Sequence, residues 1–240
     1  MNFTTKLAAH FLGDGVAGAA SPASREKNLS RLREYFGLDG RRPFDGSRFE
    51  FYASADTHPD RITPADLVAV TMLSMEIRRE SRSGVCTSDA MAIEYRDLEI
   101  RHLLTALPAD RDLHSLSDQE FQSWVGPESP AERLWGLLRK DIGMHRVATF
   151  KLLARKRPRL LPISDSRVRA ILGTSDNSWE SWYRALIGRP DIVDELRSLR
   201  DEFARLHPPA HAVSLLRIAD ICLWNTTSVT EEAEEDSDED

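Results

Sequence analysis

Apolar residues recur along most of the chain at intervals of three or four positions, which is the spacing of amphipathic helices. The first regular segment begins at Ser24 and continues through Leu29 and Leu32 to Phe36, where Gly37 ends it. Similar spacing predicts further helices with these approximate bounds: 63–79, 93–107, 117–124, 130–140, 144–155, 166–172, 179–187, 191–206 and 213–224. The pattern therefore predicts a mainly helical chain.

The clearest helix start is the sequence T-P-A-D at Thr63–Asp66. It combines a hydroxyl N-cap, a proline at the first helical position and an acid in the first turn. The following run, L-V-A-V-T-M-L-S-M, is apolar on nearly every side. We predict a central helix of the core there, extending to about Arg79.

One short segment departs from the helical pattern. Phe49, Phe51 and Ala53 alternate with more polar neighbours, which is typical of an extended strand. No alternation of strands with helices follows. The predicted fold class is therefore all-α, an orthogonal helical array with at most one short extended hairpin.

The organisation along the chain predicts three parts. Residues 1–23 are rich in Gly and Ala and weakly patterned, so we expect a flexible N-terminal arm, followed by a single helical domain over 24–225. The last ten residues hold eight acids and no base, so that the formal net charge changes from -7 to +1 without them (-7 + 8). We expect a disordered acidic tail over 226–240, which either solubilises the protein or folds back on basic residues.

Positive charge is concentrated between Arg139 and Arg169. This basic stretch contains ten Lys or Arg and two acids, a local balance of +8 (10 - 2). Such a balance indicates an anionic partner. Nucleic acid and an acidic protein are the two classes of partner that fit.

A helical hairpin is predicted inside the basic stretch, with Asp141, Ile142 and Gly143 as its turn. A helix that starts at about Met144 presents unpaired N–H groups and a positive dipole end. These groups are suited to a phosphate of a nucleic-acid backbone.

The candidate nucleic-acid contacts are the glycine of this turn and the cations around and beyond it. They are Lys140, Gly143, Arg146, Arg155, Lys156, Arg157, Arg159, Arg167 and Arg169. If they converge, they neutralise several phosphates, and binding weakens steeply with salt. The alternative is a solvated helix C-terminus, where cations meet the helix dipole favourably.

Three motifs carry a resemblance to a known family: R-I-T-P-A-D-L-V-A-V at 61–70, K-L-L-A-R-K-R-P-R-L-L-P-I-S-D-S-R-V at 151–168 and S-L-L-R-I-A-D-I-C-L-W at 214–224. They resemble an uncharacterised bacterial domain-of-unknown-function family over most of the chain from about Phe44 to Trp224. That resemblance implies no activity.

The hairpin, a proline-containing loop and an aspartate also resemble the helix-hairpin-helix DNA glycosylases, whose hairpin reads L-P-G-V-G-x-K-x-A. Leu138, Ile142 and Gly143 match that hairpin, whereas Asp141 replaces its first glycine. His145 stands where bifunctional members carry a lysine, which removes a Schiff-base nucleophile. The resemblance implies a degenerate or monofunctional relative.

In that case Asp165 is the catalytic carboxylate if the loop differs in length by one residue, and Lys151 and His145 are its candidate helpers. Each has a competing structural role. Asp165 is expected to cap the helix at Ser166, Lys151 to form a structural ion pair with Asp165 or to extend along the surface, and His145 to contact phosphate or solvent. We favour the structural roles.

Other residue classes indicate no further chemistry. The seven histidines have no metal-ligand spacing, so we predict neither a metal nor a cofactor. Cys86 and Cys222 are expected to be free and buried, Trp179, Trp182 and Tyr183 to form a core stripe, and Arg217 to pair with Asp220. The chain has no apolar run of membrane-spanning length, and we expect a cytoplasmic protein.

Overall fold

The computed structural model describes residues 2–13, 19–54, 58–74, 77–78, 84–173 and 179–226. Over these residues the chain divides into two compact units. Unit 1 combines both ends of the chain, Met1–Phe44 and Ser164–Asp240, and unit 2 is the segment Asp45–Ile163 between them. The single helical domain over 24–225 that the sequence predicts stays a prediction.

The described chain is helical almost throughout, which confirms the all-α fold class. Its α-helices have these bounds: α1 Phe3–Leu12, α2 Pro22–Tyr35, α3 Pro64–Thr71, α4 Thr87–Tyr95, α5 Asp97–Thr105, α6 Asp118–Trp124, α7 Pro130–Gly136, α8 Arg146–Lys156, α9 Ser166–Leu172, α10 Trp179–Gly188, α11 Pro190–Leu206 and α12 Leu215–Trp224. Short 3-10 turns cover Asp45–Arg48, Leu113–Ser115 and Pro208–Ala212, and a π-helical turn follows α7 at Leu137–Asp141.

The prediction of a flexible N-terminal arm is wrong for α1. This helix is capped by Asn2, whose side chain accepts a hydrogen bond from the Thr5 N–H. Leu7 and Phe11 are fully buried in unit 1, where α1 packs against α2, α10 and α11. Ala8 and Leu12 are buried as well, so that this face of α1 anchors a segment whose many small residues suggested weak packing.

The predicted extended segment around Phe49 is also wrong. Asp45–Arg48 forms a 3-10 turn, and further turns follow as far as Ala53, which has a φ of 48°. Two short strands do occur elsewhere, β1 at Ile77–Arg78 and β2 at Val85–Cys86, and they pair in parallel. The alternation of apolar residues therefore did not indicate a strand. In these turns the carbonyl groups of Phe49 and Tyr52 accept hydrogen bonds from the Arg155 side chain.

Local capping signals in the sequence were reliable, but helix length was not. Thr63 is the predicted N-cap of α3 and forms a capping box with Asp66, yet α3 ends at Thr71 rather than near Arg79. Likewise, the predicted helix over 93–107 is two helices, α4 and α5, which meet at Arg96. Continuous apolar runs show that a segment is buried without fixing where its helical hydrogen bonds stop.

Several tertiary expectations are confirmed in the interior. Trp179, Trp182 and Tyr183 are buried on α10, and Cys86 and Cys222 are free and buried. The Arg217 and Asp220 side chains form a buried ion pair in α12. Thr226, placed in the predicted tail, is also buried and donates from Oγ1 to the Cys222 carbonyl at 3.1 Å; the rest of that tail lies outside the described residues.

Candidate nucleic-acid interface

The hairpin turn in unit 2 presents part of the predicted phosphate contact to solvent. The chain leaves α7 through the π-helical turn at Leu137–Asp141, and α8 begins at Arg146, two residues later than predicted. Lys140 and Gly143 are exposed, whereas Met144 is buried and anchors the turn to the core. The Met144 N–H donates to the Leu138 carbonyl at 3.0 Å.

Backbone geometry explains the glycine in this turn. Gly143 has a φ of 85°, a left-handed conformation that other residues adopt only with strain. No heavy atom lies within 4 Å of the position that a Cβ atom would take there, so the backbone is open to approach from solvent. A bound anion can therefore reach the chain at this residue.

A side-chain cap is missing at the start of α8, as it is at α5 and α11, but those two helices have acids in their first turns. His145 is the N-cap residue but makes no side-chain cap hydrogen bond, and the first turn contains no acid. By contrast, Ser129 caps α7 by accepting from the Glu132 N–H at 3.3 Å. Arg146 in the first turn of α8 is half-buried and stacks over the Phe150 ring at 5.3 Å.

The basic exit of α8 behaves differently from the prediction. Arg155, Lys156 and Arg157 were expected to face solvent or phosphate, but their side chains are only 5%, 2% and 1% exposed. Charged side chains are buried at such levels when internal partners satisfy them. Both sequence interpretations of these three residues, a nucleic-acid contact and a solvated helix terminus, are therefore wrong about where they lie.

Lys156 and Arg155 both reach Asp66, the capping acid of α3. The Lys156 ammonium lies 2.8 Å from Asp66 Oδ2 and also donates to the His58 carbonyl at 2.7 Å. The Arg155 Nε lies 3.5 Å from Asp66 Oδ1, and its guanidinium donates to the carbonyl groups of Phe49 and Tyr52. Burial lowers the pKa of Lys156, and the hydrogen bond to Asp66 opposes that shift.

The guanidinium group of Arg157 also has several hydrogen-bond partners inside unit 2. Its guanidinium donates to the Leu107 carbonyl at 3.0 Å, to the Pro59 carbonyl at 2.6 Å and to the Leu104 carbonyl, and it forms an ion pair of 2.6 Å with Asp60. Burial lowers the pKa of Arg157, and Asp60 opposes the shift. The three cations bond to carbonyl groups in the turns at 49–52 and in the segment 58–60 of unit 2, which lie outside its regular helices.

Arg159 is more accessible than these three residues but also has an internal partner. Its guanidinium forms a two-point ion pair with Asp112, with Nε 3.0 Å from Oδ1. The hydrogen bonds that Arg159 donates to this carboxylate raise the pKa of Arg159. A phosphate would have to compete with Asp112 for the guanidinium, so Arg159 is a poor candidate for a contact.

The candidate catalytic residues have structural partners. Asp165 is the N-cap of α9 and accepts from the Arg167 N–H at 2.8 Å, which confirms its capping role. Lys151 is buried, which excludes a surface path, and donates to the Leu73 carbonyl at 2.6 Å. At His145 the backbone carbonyl accepts from the Thr149 hydroxyl at 3.0 Å at the start of α8, a bond that does not involve the imidazole.

Two predicted contact residues belong to unit 1 rather than to the hairpin unit. The Arg167 guanidinium stacks over the Trp224 ring at 5.0 Å and donates to the Thr226 carbonyl at 3.5 Å. Arg169 is half-buried on the same helix, α9. The predicted set of nine residues thus divides between the two units.

Comparison with known proteins identifies a family for this chain. The model of the family of unknown function DUF6308 matches residues 28–227. The chain belongs to this family. No curated protein and no solved structure matches the DUF6308 chain. The resemblance to an uncharacterised family is therefore confirmed, and the likeness to DNA glycosylases is not shown by any of these comparisons.

Unit 2 of the DUF6308 chain also contains a cleft that the sequence did not predict. It has a volume of about 380 Å³ and lies between α3 and α4, with Arg61 and Asp97 at its edge, 3.0 Å apart. These two residues are far apart in sequence, so no spacing signal connects them. Among the described residues no group of three His, Cys, Asp or Glu side chains could hold a metal ion, and no helix there is long and apolar enough to cross a membrane.

Proposed function

We propose that this protein binds the backbone of nucleic acid, preferably duplex DNA, through the hairpin turn between α7 and α8. The observation that carries the proposal is the uncapped start of α8 beside an exposed glycine, with Lys140 before it and Arg146 after it. Helix N–H groups and two cations form a contact for one or two phosphates. The contact reads no bases, so binding is independent of sequence.

The contact set in this proposal is smaller than the one expected from the sequence. Lys140, Gly143 and Arg146 carry it, because Arg155, Lys156 and Arg157 already have internal partners. Arg167 and Arg169 belong to unit 1 and form no part of it. Weak binding with a shallow salt dependence is the expected result of so few contacts.

In this proposal the hairpin is the only part of the chain that is related, as a degenerate form, to the DNA glycosylases. It contains no hydrolytic step, because Asp165 has the capping role described above and His145 replaces the lysine of bifunctional members. The competing class is a non-catalytic module that uses the same turn to bind an acidic protein. Salt weakens binding in both classes, but only the nucleic-acid-binding class binds a DNA duplex.

The test is a fluorescence titration of the full chain with a duplex DNA at about 50 mM salt and at higher salt. The double variant Lys140→Ala/Arg146→Ala should bind more weakly, and the slope of log K against log salt should fall by about two, one for each lost cation. The matched control is Lys27→Ala/Arg205→Ala, which removes two exposed cations of unit 1 and should bind like the wild type.

Two results would overturn the proposal. One is the absence of DNA binding at the lower salt concentration, which leaves the acidic protein partner. The other is an equal loss of affinity in both double variants, which indicates a diffuse charge effect instead of a site. Substitution of Arg155, Lys156 and Arg157 is unsuitable as a test, because it would break the internal bonds of unit 2.

A further inference from the structure

The largest exposure of apolar side chains among the described residues occurs where α4 meets α5. Met91, Tyr95 and Leu98 are 73%, 89% and 81% exposed, whereas the other exposed large apolar residues of the described chain reach at most 56%. Met91 and Tyr95 are one helical turn apart, and Leu98 follows in the first turn of α5. Single exposed apolar residues are ordinary, but a contiguous group indicates an interaction surface. We call these three residues the 91–98 patch.

The cleft between α3 and α4 adjoins this patch. Met91 belongs to both, and the other apolar side chains of the cleft are Ile62, Pro64, Leu67, Ala90 and Ile93. The same surface of unit 2 therefore offers protruding apolar side chains and a partly apolar depression of about 380 Å³. A partner that fits the 91–98 patch needs a depression, and a partner that fits the cleft needs protruding side chains. This surface has both.

Charged residues around the patch are balanced in sign. Three are basic and three acidic: Arg61, Arg96, Arg101, Glu94, Asp97 and Glu99. They pair locally, with Arg96 at 2.8 Å from Glu99 and Asp97 between Arg61 and Arg101 at 3.0 and 3.7 Å. A balanced rim does not favour a polyanion or any strongly charged partner.

We infer that the 91–98 patch and its cleft form the interface of a homodimer, with a second copy of this chain as the occupant. In a two-fold symmetric interface each surface must complement itself. This surface does so in shape, because it holds both a protrusion and a depression. It also does so in charge, because each sign on the rim has the opposite sign available on the other copy.

The expected interface resembles that of ordinary dimers. Protruding Tyr95 and Leu98 side chains of one copy enter the cleft of the other, and the exchange occurs twice across the symmetry axis. Stable interfaces bury about 1,200–2,000 Å² in total, and aromatic residues near the centre contribute most of the affinity. Tyr95 is the expected centre, since it is the most exposed large apolar residue of the patch.

Sedimentation velocity of the full chain over a range of concentrations tests this inference. The wild type should sediment as a species of twice the 27.1 kDa chain mass. The variants Tyr95→Arg and Leu98→Glu should weaken dimerisation by about 30-fold or more, because each places a charge in an apolar contact. Both residues are largely exposed, so circular dichroism should show unchanged helical content.

The matched control is Leu206→Glu, which places the same charge on an exposed apolar residue of unit 1. This variant should dimerise like the wild type. A monomeric wild type at about 100 µM, well above the dissociation constant of a specific dimer, overturns the inference. A dimer that persists in Tyr95→Arg, or one that Leu206→Glu also disrupts, overturns it as well. DNA titration does not depend on this surface, so the two proposals fail separately.

Discussion

At the scale of single residues, the chain shows how far a run of cations can differ from its first interpretation. The sequence R-K-R at 155–157 has the composition of an anion-binding segment. In the structure each of its guanidinium or ammonium groups bonds to carbonyl oxygens and to a carboxylate of unit 2. Five donors in a planar fork make arginine well suited to such carbonyl clusters.

We predict that breaking the buried ion pair of Lys156 with Asp66 lowers stability far more than breaking the partly exposed pair of Arg159 with Asp112. Asp66→Asn leaves the Lys156 ammonium buried opposite a neutral amide, and should lower the free energy of unfolding by about 3 kcal/mol or more. Asp112→Asn, the matched control, removes the partly exposed pair with Arg159 and should cost about 1 kcal/mol or less. Chemical denaturation measures both values. Equal losses in the two variants would contradict this account of the cluster.

At the scale of elements, the turn between α7 and α8 depends on backbone conformation more than on side chains. Two glycines bracket the π-helical turn, and their conformations differ. Gly136 has a helical φ of -59°, whereas Gly143 has a φ of 85°. The first position has room for a Cβ atom in a helical conformation, and the second requires glycine if the turn is to keep its shape.

The two glycines therefore provide a paired test. Gly143→Ala should lower the free energy of unfolding by about 1–2 kcal/mol, because alanine in the left-handed region is strained. Gly136→Ala should raise it by about 0.5–1 kcal/mol, since no neighbouring atom would meet the added methyl group and the helical conformation favours alanine. Thermal unfolding of both variants measures the difference. A loss of similar size at Gly136 would show that crowding, and not φ, determines the result.

At the scale of the whole molecule, unit 1 joins the two ends of the chain and buries a cluster of polar side chains within its apolar core. His10 of α1 lies 2.9 Å from the Arg31 guanidinium of α2, measured from Nε2 to Nη1, and Cys222 of α12 is buried beside Asn28. Burial, reinforced by the charge of Arg31, lowers the pKa of His10 to about 3. Burial also raises the pKa of Cys222 to about 12, so this thiol stays protonated.

The His10 shift predicts acid sensitivity with a defined sign. Because the folded pKa lies below the usual value of 6.5, the unfolded chain binds the proton more readily between about pH 6.5 and pH 3. Stability is therefore complete above pH 6.5 and falls as the pH decreases, by about 1.4 kcal/mol for each pH unit from this group. Denaturation between pH 7 and about 4.5 should show this slope before most carboxylates titrate.

The control for this prediction comes from the same unit. His10→Gln should remove the contribution of His10 to the slope, whereas His211→Gln, at an exposed position, should leave it unchanged. A wild-type slope that persists in His10→Gln would assign the acid sensitivity to other groups.

The sequence by itself determined the helical class, the capping of α3 by Thr63 and Asp66, and the pairing of Arg217 with Asp220. These features depend on neighbours within one or two helical turns, so local spacing is sufficient to predict them. The sequence also identified the hairpin turn, with an error of two residues in the start of α8.

Only the tertiary structure decided which cations reach solvent and how the chain divides. Arg157 bonds to residues about fifty and about a hundred positions away, and no local pattern carries such a pairing. The same holds for α1, which the packing of unit 1 keeps in place, and for the cleft beside Met91. Charge and apolar content along a chain indicate what a segment can bind, and the fold determines whether its partner is the protein itself.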